Sequence, residues 1–253
     1  MQIDGQTAIV TGAASGLGAA TARYLAGQGA RVGVLDFDGA GAAAVAQDID
    51  GIAVQLDVTD EDQVIAAIAK VTAAIGAPRI AVNCAGVAHA ARIVGREGKT
   101  AVPLFQKVIA VNLFGTYNIM THAAAAMMQL DPLDTGERGV IVNTSSAAYE
   151  DGQIGQTAYA ASKGAVAAMC LPAAREMARA GIRVMAVAPG LFSTPMMEGL
   201  PPETTAAITA NIPFPDRLGA PAEFGRMVGD IVTNAYLNGT TIRLDGAVRL
   251  PPK

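Results

Sequence analysis

Short Val- and Ile-rich runs alternate along the whole chain with Ala-rich stretches of helical spacing, and this alternation leaves few possible folds. The predicted strands are Thr7 to Thr11, Arg31 to Asp36, Ile52 to Asp57, Ile80 to Asn83, Val140 to Asn143, Ile182 to Val187 and Thr241 to Leu244. The predicted helices are Gly16 to Gln28, Gly39 to Ile49, Glu61 to Ile75, Leu104 to Gln129, Thr157 to Ala180 and Ala222 to Thr233. Strands separated by helices connect through crossovers, so the alternation predicts an α/β fold, a Rossmann-type doubly wound parallel sheet with helices on both faces.

The composition of the strands supports this interpretation. They are nearly continuous in Val, Ile and Ala instead of alternating with polar residues, which is typical of strands covered on both faces. No repeat or low-complexity linker divides the 253 residues, so residues 1–253 are predicted to form one domain. A Pro-, Thr- and Met-rich stretch at about 191–220 interrupts the alternation of predicted strands and helices. Because ligands bind beyond the carboxyl ends of such strands, we predict that it is a substrate lid.

Composition and charge argue against several classes of protein. A net charge of -4 without a dense Lys/Arg run argues against nucleic-acid binding. Two Cys residues are too few for a small fold held together by several disulfide bonds. The segment Val108 to Leu130 has no charged residue and is long enough to span a bilayer, but polar residues such as Asn112 favour a buried helix with no membrane role. The first strand begins without a signal-like segment before it, so we expect a cytoplasmic protein with Cys84 and Cys170 reduced.

A glycine-rich turn follows the first strand and opens a helix. Gly12, Gly16 and Gly18 allow a tight turn and close backbone approach to a pyrophosphate, which the helix N-terminus would attract. Asp36 ends the second strand, where a carboxylate accepts ribose hydroxyls and repels a 2′-phosphate. Neither the turn nor Phe37 after Asp36 offers a cation for that phosphate, so the predicted cofactor is NAD. The alternative is that Asp36 is an ordinary turn residue.

A second cluster of residues has the chemistry of proton transfer. Tyr159 and Lys163 are four apart, so they lie one above the other on a helix face. A nearby cation, together with the positive charge of a nicotinamide, favours the phenolate and makes Tyr a usable base. Ser146 follows the fifth strand, where it can polarise a substrate oxygen, and Asn112 can hold a water against Lys163. A plain helix-surface pair and a turn serine are the alternatives.

These motifs resemble those of the short-chain dehydrogenase/reductase family, whose landmarks occur in order along the chain. The resemblance implies that Asn112, Ser146, Tyr159 and Lys163 form the catalytic tetrad, with Ser146 favoured over Ser145 by its spacing to Tyr159. Besides Tyr159 and Lys163, it implies cofactor contacts from Gly12, Ser15, Gly16, Leu17, Gly18, Asp36, Asp57, Val58, Asn83, Ala85, Gly86, Pro189, Gly190 and Thr194. Cys84 departs from the family's Asn-Asn-Ala-Gly pattern, which puts the hydrogen bonds at that position in doubt.

Further segments resemble one branch of the family, which oxidises 3-hydroxyacyl-CoA and is also described as acting on 17β-hydroxysteroids. The segments are Val82 to Gly86, Gly152 to Gln156, Pro213 to Gly219, Leu237 to Gly239 and Ile242 to Ala247. The resemblance therefore implies oxidation of a 3-hydroxyacyl-CoA to the 3-ketoacyl-CoA, in fatty acid metabolism. Arg92, Arg96 and Lys99 are placed to meet the CoA phosphates, although a solvated loop explains them equally well.

Two other functions stay open. One is an NAD-dependent dehydrogenase of another secondary alcohol, with Met196, Met197 and Leu200 shaping the pocket. The other is a non-catalytic NAD-binding scaffold, which would have no need of the tetrad. Alanines around most of the helix after Tyr159 indicate a helix covered on both sides, and the family resemblance implies a homotetramer. No metal site is predicted, because His89 and His122 have no acidic or Cys partners at ligand spacing.

Overall fold

The computed structural model describes residues 1–195, 203 and 209–252. Its centre is a sheet of seven parallel strands in the order β3-β2-β1-β4-β5-β6-β7. The strands are β1 Thr7–Thr11, β2 Arg31–Asp36, β3 Ile52–Gln55, β4 Ile80–Asn83, β5 Gly139–Thr144, β6 Ile182–Pro189 and β7 Thr241–Leu244. The strand order reverses between β1 and β4, and this is the point where ligands bind in open parallel sheets.

Seven α-helices within the described residues connect and cover these strands. They are α1 Gly16–Gly27, α2 Gly39–Asp48, α3 Glu61–Ile75, α4 Val102–Ile109, α5 Thr116–Met128, α6 Thr157–Met177 and α7 Pro221–Thr233. Short 3-10 turns lie at Arg96–Gly98, Ala147–Tyr149 and Ala178–Ala180. The predicted α/β fold with helices on both faces of a parallel sheet is confirmed.

Hydrophobic packing explains why the strand sequences are so uniformly apolar. Along β1, Val10 packs on one face with residues of α1, α2 and α7, while Ile9 packs on the other with residues of α3 and α5. Both side chains are completely buried. Each strand therefore has apolar side chains at successive positions, as expected for a sheet with two covered faces.

Three strands, β3, β5 and β6, differ from the prediction at their ends. The fifth strand is one residue longer at each end than Val140 to Asn143, because β6 pairs with it from Gly139 to Thr144. The third strand ends at Gln55 and not at Asp57, because its partner β2 ends at Asp36, which pairs with Gln55. The sixth strand continues to Pro189, because the edge strand β7 pairs with it over Ala186 to Pro189. In each case the neighbouring strand sets the boundary.

The prediction of one continuous helix over Leu104 to Gln129 is wrong, because the structure has two helices there. A π-helical turn, Ala110–Gly115, separates α4 from α5. Gly115 lies against the Val58 side chain, where any Cβ would overlap it. The turn includes Asn112, which is completely buried. Within the described residues, no helix combines the length and the apolar character needed to cross a membrane.

The stretch at about 191–220 is described only in part. Its two ends meet, because Phe192 and Gly219 form a parallel bridge and the Ser193 N–H donates to the Gly219 carbonyl at 2.9 Å. Met196, Met197 and Leu200 lie outside the described residues. The lid stays a prediction.

Candidate active site

The glycine-rich turn folds tightly against the end of β4. Gly12 has a φ of +62°, and a Cβ there would lie 2.6 Å from the Ala85 nitrogen. A Cβ on Gly18 would overlap the Gly12 carbonyl oxygen. Both positions therefore require glycine, and the bare backbone that results can approach an anionic ligand closely.

The N-terminus of α1 faces the segment that follows β6. A Cβ on Gly16 would come within 3.7 Å of the Thr194 methyl carbon. Ser15 lies at the N-cap and is exposed, while Leu17 packs on the core and fixes the start of the helix. The helix N-terminus, where an anionic pyrophosphate is favoured, thus lies beside Thr194.

Asp36 is held beside the turn. Its carboxylate accepts hydrogen bonds from the N–H groups of Ala14 and Asp38, both at 2.9 Å. The bond from Asp38 is the interaction expected if Asp36 is an ordinary turn residue. The bond from Ala14 also holds the carboxylate beside the glycine-rich turn. A carboxylate has about four acceptor positions, so it can also accept ribose hydroxyls.

The residues implied to contact adenine lie beyond β3. Asp57 accepts hydrogen bonds from the Thr59 N–H and hydroxyl, at 2.9 and 2.7 Å, which fixes the turn after the strand. Val58 is buried, and its carbonyl accepts from the Asn118 side chain at 3.0 Å. These contacts fix the backbone of Asp57 and Val58, and their contact with adenine stays a prediction.

At the end of β4, Asn83 ties the central strands together. Its amide donates to Asn143 on β5 at 2.8 Å. The departure at Cys84 is accommodated, because the Thr144 hydroxyl donates to the Cys84 sulfur at 3.6 Å. Burial raises the pKa of this thiol to about 11, so it is protonated at neutral pH and is no nucleophile.

Tyr159 and Lys163 stack on one face of α6 as predicted. The Lys163 ammonium lies 5.9 Å from the centre of the Tyr159 ring and donates to the Thr144 carbonyl at 2.8 Å. Ser146 lies beyond the end of β5, and its hydroxyl is close enough to the Tyr159 phenol to lower the pKa of that phenol. The structure therefore brings Ser146, Tyr159 and Lys163 together at the carboxyl edge of the sheet.

The expected lowering of the Tyr159 pKa is wrong for the protein groups alone. Burial raises the pKa of the phenol, and its hydrogen bond with Ser146 only opposes that rise. Burial also lowers the pKa of Lys163 to about 8, because the ammonium is itself desolvated. The positive charge of a bound oxidised nicotinamide would add to that of Lys163 in favouring the phenolate.

The two neighbouring serines have different environments. The Ser145 hydroxyl is completely buried and donates to the Lys163 carbonyl at 2.8 Å, a bond that holds α6 to β5. The Ser146 hydroxyl accepts from the Ala148 N–H at 3.2 Å and lies next to Tyr159. This geometry supports the assignment of Ser146, and not Ser145, to the reacting group.

Asn112 is fixed by the loop after β4 and by α6. Its amide oxygen accepts from the Val87 N–H at 2.8 Å, and its amide nitrogen donates to the Val87 carbonyl and the Ser162 hydroxyl. A Cβ on Gly86 would lie 3.2 Å from the Asn112 oxygen and 3.5 Å from the Lys163 ammonium. Both groups therefore border one spot beside Gly86, and the water bridge between them stays a prediction.

Sequence reasoning missed several partners that hold these groups. They are the Thr144 carbonyl, the backbone of Val87 and the hydroxyl of Ser162. Two of the three act through the backbone, which no side-chain pattern reveals.

Among the residues that the structure describes, no three His, Cys, Asp or Glu side chains are placed to hold a metal ion.

A phosphate-binding turn, a carboxylate at the end of β2 and a Ser-Tyr-Lys group beyond β5 together define a dinucleotide-dependent oxidoreductase. Comparison with known proteins gives the same class. Residues 6–205 match the family model described as short chain dehydrogenase. The chain belongs to this family, and it is a dehydrogenase that acts on CH–OH groups with a nicotinamide cofactor.

Individual relatives match over nearly the full length. The chain is 46% identical to the human protein named 3-hydroxyacyl-CoA dehydrogenase type-2, over 99% of this chain and 97% of that protein. It is 44% identical to the Drosophila melanogaster protein of the same name, over 99% and 100% of the two chains. It also superposes on a crystal structure of 3-hydroxyacyl-CoA dehydrogenase type-2 from Mycobacterium avium, with a TM-score of 0.95, 44% identity and 98% of each chain covered.

Proposed function

We propose that this chain catalyses the reversible NAD-dependent oxidation of 3-hydroxyacyl-CoA to 3-ketoacyl-CoA. The observation that carries the proposal is similarity at 44% to 46% identity, over 97% or more of each chain, to proteins named for this activity. The geometry of Ser146, Tyr159 and Lys163 supplies the chemistry that the reaction needs. Such an activity would serve fatty acid metabolism.

In the proposed oxidation, each site residue has one task. Ser146 donates a hydrogen bond to the substrate oxygen and holds it beside Tyr159. The Tyr159 phenolate accepts the hydroxyl proton while the C–H electron pair leaves as hydride. Nicotinamide, when bound, would supply the hydride acceptor and a positive charge. Lys163 stabilises the phenolate, and Asn112 holds the water through which the proton reaches solvent.

NAD is the proposed cofactor because of the charge beside the ribose. The Asp36 carboxylate lies at the turn, held by the Ala14 N–H at 2.9 Å. Phe37, which follows it, is exposed and offers no positive charge to a 2′-phosphate. A 2′-phosphate would therefore meet like charge with no partner, which favours NAD.

A substrate panel tests the function. The purified chain is assayed with NAD and three groups of alcohol: 3-hydroxyacyl-CoA of short and medium chain length, a 17β-hydroxysteroid, and small secondary alcohols. We expect the acyl-CoA compounds to give the highest kcat/KM, measured by NADH absorbance. Preference for another alcohol would overturn the substrate assignment, and NADH binding without turnover on any compound would indicate a scaffold.

The CoA end of the substrate would meet the loop that follows β4. The Ala91 N–H donates to the Gly155 carbonyl at 2.8 Å, which attaches this loop to the segment just before Tyr159. Arg92, Arg96 and Lys99 are all exposed there, and Lys99 pairs loosely with Glu97 at 3.4 Å. Exposed cations at the cleft edge can pair with phosphates of a bound ligand.

Replacing Arg92, Arg96 and Lys99 together by Ala is expected to raise KM for a 3-hydroxyacyl-CoA about tenfold, since three exposed charge contacts at a few tenths to 1 kcal/mol each are lost. KM for the matching acyl thioester without the nucleotide should stay unchanged. A triple variant of three exposed cations elsewhere, Arg23, Lys70 and Arg226, is the control. Equal effects on both substrates would overturn the phosphate role of the loop.

A homotetramer is the proposed assembly. Helix α6 has a side that faces away from the sheet, where Ala161, Ala168 and Leu171 are exposed in the single chain. A helix that is apolar on the side away from the sheet can be covered on that side by a neighbouring subunit. Light scattering of the purified protein tests this, and a monomer mass would overturn it. The cytoplasmic location stays a prediction.

A further inference from the structure

One guanidinium binds three carboxylates near the catalytic residues. Arg243 on β7 pairs with Glu150 at 2.6 Å, with Asp151 at 2.6 Å and with Asp245 at 2.7 Å. It also donates to the Val248 carbonyl at 3.1 Å. The Arg243 side chain is only 15% exposed, and those of Asp151 and Asp245 are 12% and 8% exposed. Four of the five guanidinium N–H positions are thus used in a largely buried cluster.

Two of the three carboxylates lie on the segment that connects Ser146 to Tyr159. Glu150 and Asp151 directly follow the 3-10 turn Ala147–Tyr149, which Ser146 begins as its N-cap. The segment then runs only to Gln156 before α6 starts. Its anchor to β7 therefore lies between the two groups that must touch the substrate oxygen.

The third carboxylate reaches the other side of the cleft. Asp245 lies so close to the end of β6 that a Cβ on Gly190 would come within 2.6 Å of its Cβ. The Gly190 N–H donates to the Leu244 carbonyl at 2.9 Å. Pro189, Gly190 and Thr194 belong to the segment that the family resemblance assigns to the nicotinamide carboxamide. Arg243 therefore connects the catalytic segment to the nicotinamide segment through a single side chain.

The C-terminal residues reinforce the same segment. The Ile154 N–H donates to the Pro252 carbonyl at 3.0 Å, and the Gln153 side chain donates to the Pro251 carbonyl at 3.0 Å. Gln153 and Gln156 also bond to each other. The segment before Tyr159 is thus fixed at its start by Arg243 and at its end by the C-terminal chain.

We propose that Arg243 is a positioning residue for hydride transfer. It touches neither substrate nor cofactor, and it sets the distance between Ser146 and Tyr159 on one side and Gly190 on the other. Hydride and proton transfer need their donors and acceptors within a few tenths of an ångström, and a displacement of about 1 Å lowers rates about 100-fold. Removing the guanidinium leaves the buried Asp151 without its cation and leaves Asp245 only a 3.4 Å pair with the exposed Arg249, so the two segments must move apart to solvate these carboxylates.

The experiment compares four single variants. Arg243→Met is expected to lower kcat at least tenfold while the dissociation constant of NADH, measured by fluorescence, changes less than threefold, because the turn at Gly12 and Asp36 is untouched. Asp151→Asn should lower kcat similarly. Glu150→Gln should change it less than twofold, because that side chain is 49% exposed. Arg243→Lys keeps the positive charge but lacks the planar guanidinium that bonds several carboxylates at once, so it should give an intermediate kcat.

Coupling and controls separate positioning from a structural role. The double variant Arg243→Met with Asp151→Asn should lower kcat no further than the worse single variant, since both break one connection. Arg23→Met removes a guanidinium from an exposed pair with Asp48 and should leave kcat unchanged. All assays are run well below each variant's Tm. The proposal is overturned if Arg243→Met keeps kcat within twofold of wild type, or if its loss of kcat is matched by an equal loss of NADH binding or of folded protein.

Discussion

Replacing Tyr159 by Phe is expected to lower kcat for oxidation by at least about 1000-fold, because the variant retains the ring but has no group to accept the substrate proton. The ring still packs beside Lys163, whose ammonium is 5.9 Å from its centre. The dissociation constant of NADH should therefore change less than threefold. Stopped-flow measurement of NADH formation and a fluorescence titration give the two numbers.

Tyr236→Phe is the matched control, because Tyr236 is 99% exposed and loses the same hydroxyl without any effect expected on turnover. Substantial turnover in the Tyr159 variant would contradict the assignment of the base. Loss of NADH binding together with turnover would mean that Tyr159 mainly supports the fold.

Replacing Asp36 by Ala is expected to shift the ratio of kcat/KM for NAD over NADP by about 100-fold or more towards NADP. Two charge-assisted hydrogen bonds to the ribose are lost, each contributing about 1.5 to 3 kcal/mol. The change also frees the Ala14 N–H, which now donates to Asp36 at 2.9 Å, to meet a 2′-phosphate. Steady-state kinetics with each cofactor at saturating substrate measure the ratio.

Asp38→Ser is the control for this change. Asp38 lies two residues away and caps α2 by accepting from the Gly41 N–H at 3.0 Å, a role that Ser can fill. This variant removes one nearby negative charge and should leave the cofactor ratio within twofold. Equal shifts in the two variants would show that cofactor choice follows general charge and not the carboxylate of Asp36.

Much of the fold follows from local sequence patterns, and the exceptions have physical reasons. The bounds of β1, β2, β4, β7 and α3 agree with the prediction, because apolar runs and flanking turn residues mark their ends. β3, β5 and β6 differ because pairing with a neighbouring strand decides where they begin or end. The π-helical turn Ala110–Gly115 was not predicted, since the apolar spacing on either side continues as in one helix.

Some properties of the candidate site could likewise be predicted from the sequence and others could not. Residue type and spacing were enough to predict the roles of Gly12, Gly18, Tyr159 and Lys163. The structure places these residues as those roles require. The raised pKa of Tyr159 was not foreseen, because burial depends on the packing of distant segments.

The partners of Arg243 illustrate the same difficulty on a larger scale. Glu150 and Asp151 are more than 90 residues away in sequence and reach Arg243 only because β5, β6 and β7 lie side by side. The sequence marks the segment around Arg243 by resemblance alone and gives no sign of the ion pairs that it forms.

In the proposed reaction, a hydride passes directly from C3 of a 3-hydroxyacyl-CoA to the nicotinamide while Tyr159 takes the hydroxyl proton. Oxidation of a substrate carrying deuterium at C3 tests it most directly, with mass spectrometry of the reduced cofactor. We expect one deuterium in each NADH formed, together with a primary isotope effect on kcat/KM when the chemical step limits the rate. Reduced cofactor without deuterium would contradict the account.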